Sequence, residues 1–165
     1  MKKVLFNQKI RWSAYVYLAF FLFITSLILY LALQPADVSN EQSGLLVTLI
    51  EQGLIIFNVH LDETSLGQLT LLVRKLIGHF GLFFVDGLFA YLSFNSLFKA
   101  NKGKLLIITI SVIILIAVIS ELLQNLAIGR AMQVSDMMID ISGGILGITI
   151  VYFIEYAILK KKEKV

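Results

Sequence analysis

Four stretches of this chain, about 12–33, 76–98, 105–123 and 137–159, are almost free of charge and long enough to cross a membrane. A spanning helix needs about 20 largely apolar residues to cover ~30 Å of hydrocarbon. An irregular or open-edged backbone cannot be satisfied there, so each stretch is expected to be a helix. Composition points the same way. Of the 165 residues, 58% are apolar and 15% charged, against ~45–50% and ~25% in soluble domains. So few charges could not cover a water-facing surface. The connections between the last three spans are short, which makes those helices antiparallel neighbours. The expected fold is therefore all-α and polytopic, a single integral-membrane domain over 1–165 with four transmembrane helices. The absence of cysteine excludes a disulfide scaffold, a thiolate metal site and a cysteine nucleophile. A net charge of +3 would indicate nucleic acid only on a soluble basic patch, and none is expected.

Loops rich in Lys and Arg stay cytoplasmic. Lys2, Lys3, Lys9 and Arg11 precede the first span, Lys99, Lys102 and Lys104 follow the second, and Lys160, Lys161, Lys162 and Lys164 close the chain. Four spans place these three segments on one side and leave Arg74, Lys75 and Arg130 on the other. Both termini are expected in the cytoplasm of a multi-pass plasma-membrane protein, with the lysine tail against anionic lipid. The first span resembles a signal peptide, but its apolar run exceeds the usual 7–15 residues and no A-x-A pattern follows. It reads as a retained anchor. In the outer loop, 34–74, Asp37, Ser39 and Asn40 offer helix caps. Leu45 to Phe57 is too short to span and reads as an interfacial or re-entrant helix. Ser65-Leu66-Gly67-Gln68 fits a capping box, which would start the second helix early and carry Arg74 and Lys75 at the interface. His60 reads as a surface histidine, and Trp12, Tyr91, Tyr152 and Tyr156 as belt or packing aromatics.

Ionisable groups inside a span cost ~2.5–3.5 kcal/mol each, so each needs a partner or a purpose. Counting 1.5 Å per residue, His79, Glu121, Gln124, Arg130, Asp136 and Asp140 converge on one level near the outer leaflet. Helical spacing groups them further. Lys75, His79, Phe83 and Asp86 form one stripe of the second span, Glu121 and Gln124 share a face, and Asp136, Asp140, Gly143 or Gly144, and Gly147 form a third stripe. The small residues there would let another backbone approach beside the carboxylates. Two readings fit: a static ion-pair network that fixes how the helices dock, or an outward polar pocket for an envelope component. His79, Glu121, Asp136 and Asp140 could supply hard ligands to Mg²⁺ or Mn²⁺, but no ligand spacing specifies a metal and no cofactor is expected. No strained nucleophile turn accompanies Ser120, and the mid-span glycines cannot cradle phosphate. Asp86, near the midplane, is either protonated or linked through water to Lys75 or His79.

The run Arg74-Lys75-Leu76-Ile77-Gly78-His79-Phe80, followed by Glu121-Leu122-Leu123-Gln124, Arg130, and Asp136 with Asp140, Gly143 and Gly147, resembles the VanZ-like family. The resemblance covers about 74–147. It departs from the family's common pattern at Phe83, where tyrosine is usual, and at Asp140, where asparagine is usual. The resemblance implies a bacterial plasma-membrane protein associated with lowered susceptibility to teicoplanin and related lipoglycopeptides. With the inferred orientation, Arg74, Lys75, His79, Glu121, Gln124, Arg130, Asp136 and Asp140 are expected to form one outward pocket. Its partners would be membrane lipids and a lipid-linked wall precursor or lipoglycopeptide. The alternative is a membrane-embedded enzyme acting on a lipid-linked envelope component, with Glu121 or Asp140 as general base, His79 as acid–base partner and Arg130 as clamp. A third reading is an assembly partner for other envelope proteins.

Overall fold

The computed structural model describes residues 2–98 and 100–162, with side chains from Trp12 to Lys161 apart from Lys99. The side chains of Lys2, Lys3, Lys9, Arg11, Lys99, Lys162 and Lys164, on which much of the expected orientation rests, lie outside the described residues. Among the described residues the protein is all-helical, with no strand. Its five helices are α1 (Lys2–Ala32), α2 (Ala36–Ile56), α3 (Glu63–Leu97), α4 (Lys102–Gln124) and α5 (Val134–Lys162). Four of them are long and apolar enough to span, over Trp12–Ala32, Glu63–Leu97, Lys102–Gln124 and Val134–Lys161. This is a multi-pass membrane protein.

Local chemistry sets the helix ends. The chain's one proline, Pro35, stops α1, because the residue before a proline avoids the helical region. Pro35 then begins α2 from an extended conformation (φ −57°, ψ 159°). The expected short helix at Leu45–Phe57 is thus 21 residues long, and Asp37, Ser39 and Asn40 fall within it rather than capping it. Asn58 turns the chain with φ 58°, a left-handed conformation that asparagine tolerates. The cap of α3 also differs from expectation. Asp62, not Ser65, is the N-cap, accepting from the Ser65 amide at 3.0 Å. Ser65 therefore lies one turn inside, and α3 starts well before 76. Asn101 caps α4 through the Gly103 amide at 2.8 Å. Between α4 and α5 the backbone reverses at Gly129, φ +73°, and the Ile128 carbonyl there accepts from the Ala36 amide at 3.0 Å. That bond ties the α1–α2 and α4–α5 connections together at one end of the bundle.

Helix α3 is the hub, packing on α1, α4 and α5, while α4 and α5 also pack on each other. The apolar interior includes Phe21, Ile28, Phe83, Ala90, Tyr91, Ile113, Ala117 and Ile148. Yet many of the largest apolar side chains, such as Ile107, Leu115 and Phe153, face outward, while Asp86, Ser93, Thr109, Glu121 and Asp140 are fully buried. This inverted distribution suits hydrocarbon as the solvent, where polar groups must find partners inside the bundle. Trp12 and Tyr156 are exposed and Tyr91 is buried; His60 lies on the surface as expected.

The α3–α5 seam is backbone on backbone. A side-chain carbon at Gly143 would strike the Phe80 carbonyl, one at Gly147 the Phe84 carbonyl, and one at Gly87 the backbone of Gly144. Gly144 itself is closed off by Ile113 of α4. The glycine stripe expected in the fourth span is therefore where the helices approach most closely, and it sits directly beside Asp140.

Candidate functional site

Within α3, residues Arg74–Gly81 form π-helical turns. Their i→i+5 bonds enclose one residue more than an α turn, and such segments recur at functional sites. The α-helical stripe expected through Lys75, His79 and Phe83 is therefore re-spaced over its first half. Even so, Lys75 and His79 reach the same neighbour on α5. Lys75 Nζ donates to Asp136 Oδ1 at 2.6 Å, and His79 Nε2 lies 3.8 Å from Asp136 Oδ2. The other imidazole nitrogen, Nδ1, lies 3.0 Å from Asp140 Oδ1. Asp136 and Asp140 are one turn apart at the start of α5, where carboxylates complement the helix dipole. His79 is buried with them.

A second string begins at the end of α4. Glu121, fully buried, accepts from Gln124 Nε2 at 2.6 Å and from the Gln133 amide at 2.9 Å. Gln124 in turn accepts from the Arg130 guanidinium, which also donates to the Leu31 carbonyl of α1 at 3.2 Å. Arg74 Nη1 meets Asn40 Oδ1 of α2 at 3.5 Å. Among the described residues, neither Arg74 nor Arg130 has a carboxylate within ion-pair distance. Burial, and next the neighbouring Arg74, lower the proton affinity of Arg130, while Glu121 and Asp136 raise it. The guanidinium remains a cation.

The eight expected residues thus lie at one end of the bundle but divide by role. Arg74, His79, Gln124 and Arg130 line a cleft of about 230 Å³ between α1, α2, α3 and the end of α4. Its remaining wall includes Ile28, Leu31, Leu46, Ile77 and Leu82, so the cleft is apolar with a cationic, amide-rich edge. Lys75, Asp136, Asp140 and Glu121 do not line it; they stand behind its polar wall and hold His79 and Gln124. Donor atoms of His79, Glu121 and Asp140 all lie within 4.8 Å of one another.

Other partners escaped the sequence. Asp86 meets neither Lys75 nor His79 directly; Thr25 Oγ1 of α1 donates to its Oδ1 at 2.9 Å. At the opposite end, Glu155 accepts from Lys102 at 2.6 Å, Asn95 at 3.0 Å and Tyr91 at 3.1 Å. That joins α3, α4 and α5. The signal was available in part, because Tyr91 and Asn95 are one turn apart on α3 and Glu155 is an acid inside a span that requires a cation.

No curated protein and no solved structure matches this chain. The VanZ/LLP1 family profile does, across residues 16–155. That range reaches into all four apolar helices and takes in the π segment and every residue of both polar strings. The chain is a member of the VanZ/LLP1 family.

Proposed function

We propose that the cleft faces the outer leaflet of a bacterial plasma membrane and binds an anionic envelope component there, lowering susceptibility to teicoplanin and related lipoglycopeptides by altering what the drug meets at the cell surface. The observation that carries this reading is the pair Arg74 and Arg130. Both are half-buried, have no carboxylate within ion-pair distance among the described residues, are met only by amide and carbonyl oxygens there, and edge an apolar cleft. Guanidinium forks suit phosphate and carboxylate, and the apolar wall suits the lipid part of an amphiphile. Family membership and the excess of Lys and Arg on the opposite side support the antibiotic and the outward elements of the reading.

The test is susceptibility of a deletion strain, complemented by wild type, Arg130→Ala or Arg130→Lys at matched membrane levels. Deletion should sensitise cells to teicoplanin, wild type should restore resistance and Arg130→Ala should not. Losing one charge-assisted contact is worth ~1.5–3 kcal/mol, or ~10–100-fold in binding. Arg130→Lys keeps the charge without the fork and should restore resistance in part. An unchanged response on deletion overturns the antibiotic role.

A second reading is favoured by the His79–Asp140 pair at the cleft wall: a membrane-embedded enzyme on a lipid-linked envelope component, with His79 moving the proton and Arg130 clamping the anion. Under it, His79→Gln keeps ligand binding and abolishes turnover. Under simple binding, His79→Gln weakens binding and there is no product to lose.

A further inference from the structure

We infer that His79, Glu121 and Asp140 form a site for one divalent first-row cation, Mn²⁺ or Zn²⁺, behind the cleft wall. The inference is independent of which ligand occupies the cleft. Three elements each supply one donor: the π segment of α3 brings His79, the end of α4 brings Glu121, and the start of α5 brings Asp140. Suitable atoms lie within 4.8 Å of one another, and all three residues are buried. Bonds of ~2.1 Å to one ion set neighbouring donors ~3.0–3.4 Å apart, and His79 Nδ1 already stands 3.0 Å from Asp140 Oδ1.

Charge makes the stronger case. Asp136 has Lys75, and Glu155 has Lys102. Glu121 and Asp140, both fully buried, have no Lys or Arg within ion-pair distance among the described residues. Glu121 is met only by two neutral amide donors, because Gln124 stands between it and Arg130. Asp140 is met only by His79, and its second oxygen, Oδ2, is buried without a partner. Two carboxylates and an imidazole are thus left short of positive charge in a medium that penalises any imbalance. One divalent ion balances two carboxylates around a neutral imidazole. A mixed set of one nitrogen and two oxygens suits Mn²⁺ or Zn²⁺ better than Mg²⁺, which takes oxygen donors and holds its water. The outer contacts are also those of a metal site. With Nδ1 toward the ion, Nε2 lies 3.8 Å from Asp136 Oδ2, near enough for charge but beyond a hydrogen bond, and Gln124 and the Gln133 amide orient Glu121.

The test uses the full-length protein in detergent micelles, stripped with EDTA, desalted, and titrated with MnCl₂, ZnCl₂ or MgCl₂. Retained metal is read by elemental analysis and stability by the thermal midpoint. The expected result is about one Mn²⁺ or Zn²⁺ per chain with a raised midpoint and little retention of Mg²⁺. Asp140→Asn and Glu121→Gln, near-isosteric changes, should lose that ion and the metal-dependent part of the midpoint. Glu155→Gln, at the opposite end of the bundle and outside the site, should keep both. If a trio variant does not accumulate, His79→Gln, which leaves both acids in place, reads the same loss. Absence of uptake by wild type, or equal uptake by wild type and the trio variants, overturns the site and assigns the missing charge to protons.

Discussion

At the scale of single residues, the decisive quantity is whether a buried polar atom has a partner. Thr25 is the only hydrogen-bond partner observed for Asp86 among the described residues. Thr25→Val should lower stability by ~1–3 kcal/mol, the cost of stranding a buried acceptor. Thr25→Val with Asp86→Leu should recover much of that, and thermal unfolding in detergent compares the two. The Glu155 cluster should behave differently. Lys102 is 42% exposed at its side chain and Glu155 28%, so solvent screens the pair. Glu155→Gln, whose one oxygen can still accept from Asn95 while its amide donates to the Tyr91 hydroxyl, should cost only ~0.5–1 kcal/mol in the same measurement. Both partnerships show where reading a chain stops. An acid inside a span announces its need for a partner, but which hydroxyl or ammonium supplies it depends on how helices rotate against one another. Thr25 looks like any other small polar residue in an apolar helix. Lys102 was read for its side of the membrane, and that use concealed its use as a counter-ion.

At the scale of elements, length and hydropathy carried most of the information. The four apolar stretches became helices because hydrocarbon leaves the backbone no other choice, and the expected stripe Gly143, Gly144 and Gly147 lies at the closest seam. Helix ends were harder. Ser65 and Gln68 make a plausible capping box, yet Asp62 caps α3 because its carboxylate reaches the Ser65 amide first along the chain. The Ser65 side chain, and next that Ser65 amide, hold the exposed Asp62 carboxyl below its ordinary value by hydrogen bonding to it. A carboxylate with a depressed value contributes stability above its ordinary range and loses it as pH falls through the folded value. Amide exchange at Ser65 should therefore accelerate as pH drops below about 4 once intrinsic rates are divided out, and Asp62→Ala should remove the dependence. The π segment was not legible at all. An i→i+5 ladder has no composition of its own, and Arg74–Gly81 reads as ordinary helix. Because each such turn holds one extra residue, deleting Gly78 should return this stretch to α geometry while leaving α3 continuous. The chain should still accumulate in membranes, but Lys75 and His79 should no longer both reach Asp136. A lost pairing between Cys introduced at 75 and 136 is the readout.

For the whole molecule, the polar groups around Asp136 and around Glu155 lie at opposite ends of the bundle, and Asp86 lies between them on α3. Level along the membrane normal followed from counting residues; the division into cleft-lining and supporting groups did not, since it depends on α2, whose 21 residues were expected as a shorter piece. The seam between α3 and α5 gives the clearest expectation about tolerance. Gly147→Val places a branched side chain against the Phe84 carbonyl and should cost at least ~1–3 kcal/mol or abolish accumulation. Gly44→Ala, with open space around it, should be neutral; the thermal midpoint of each variant decides. The same seam also has a mechanical consequence. Where two backbones touch there is no compressible layer, so α3 and α5 can neither slide nor part without losing contact along their length. On the other flank of α3, the contacts with α1 run through side chains, Phe20 on Phe89 and Thr25 on Asp86 among them, with no glycine seam. The bundle is therefore stiff on one side and yielding on the other, like a vice with one fixed jaw. Any occupant of the cleft will be accommodated by movement of α1 and α2, while the charges around His79 keep their station.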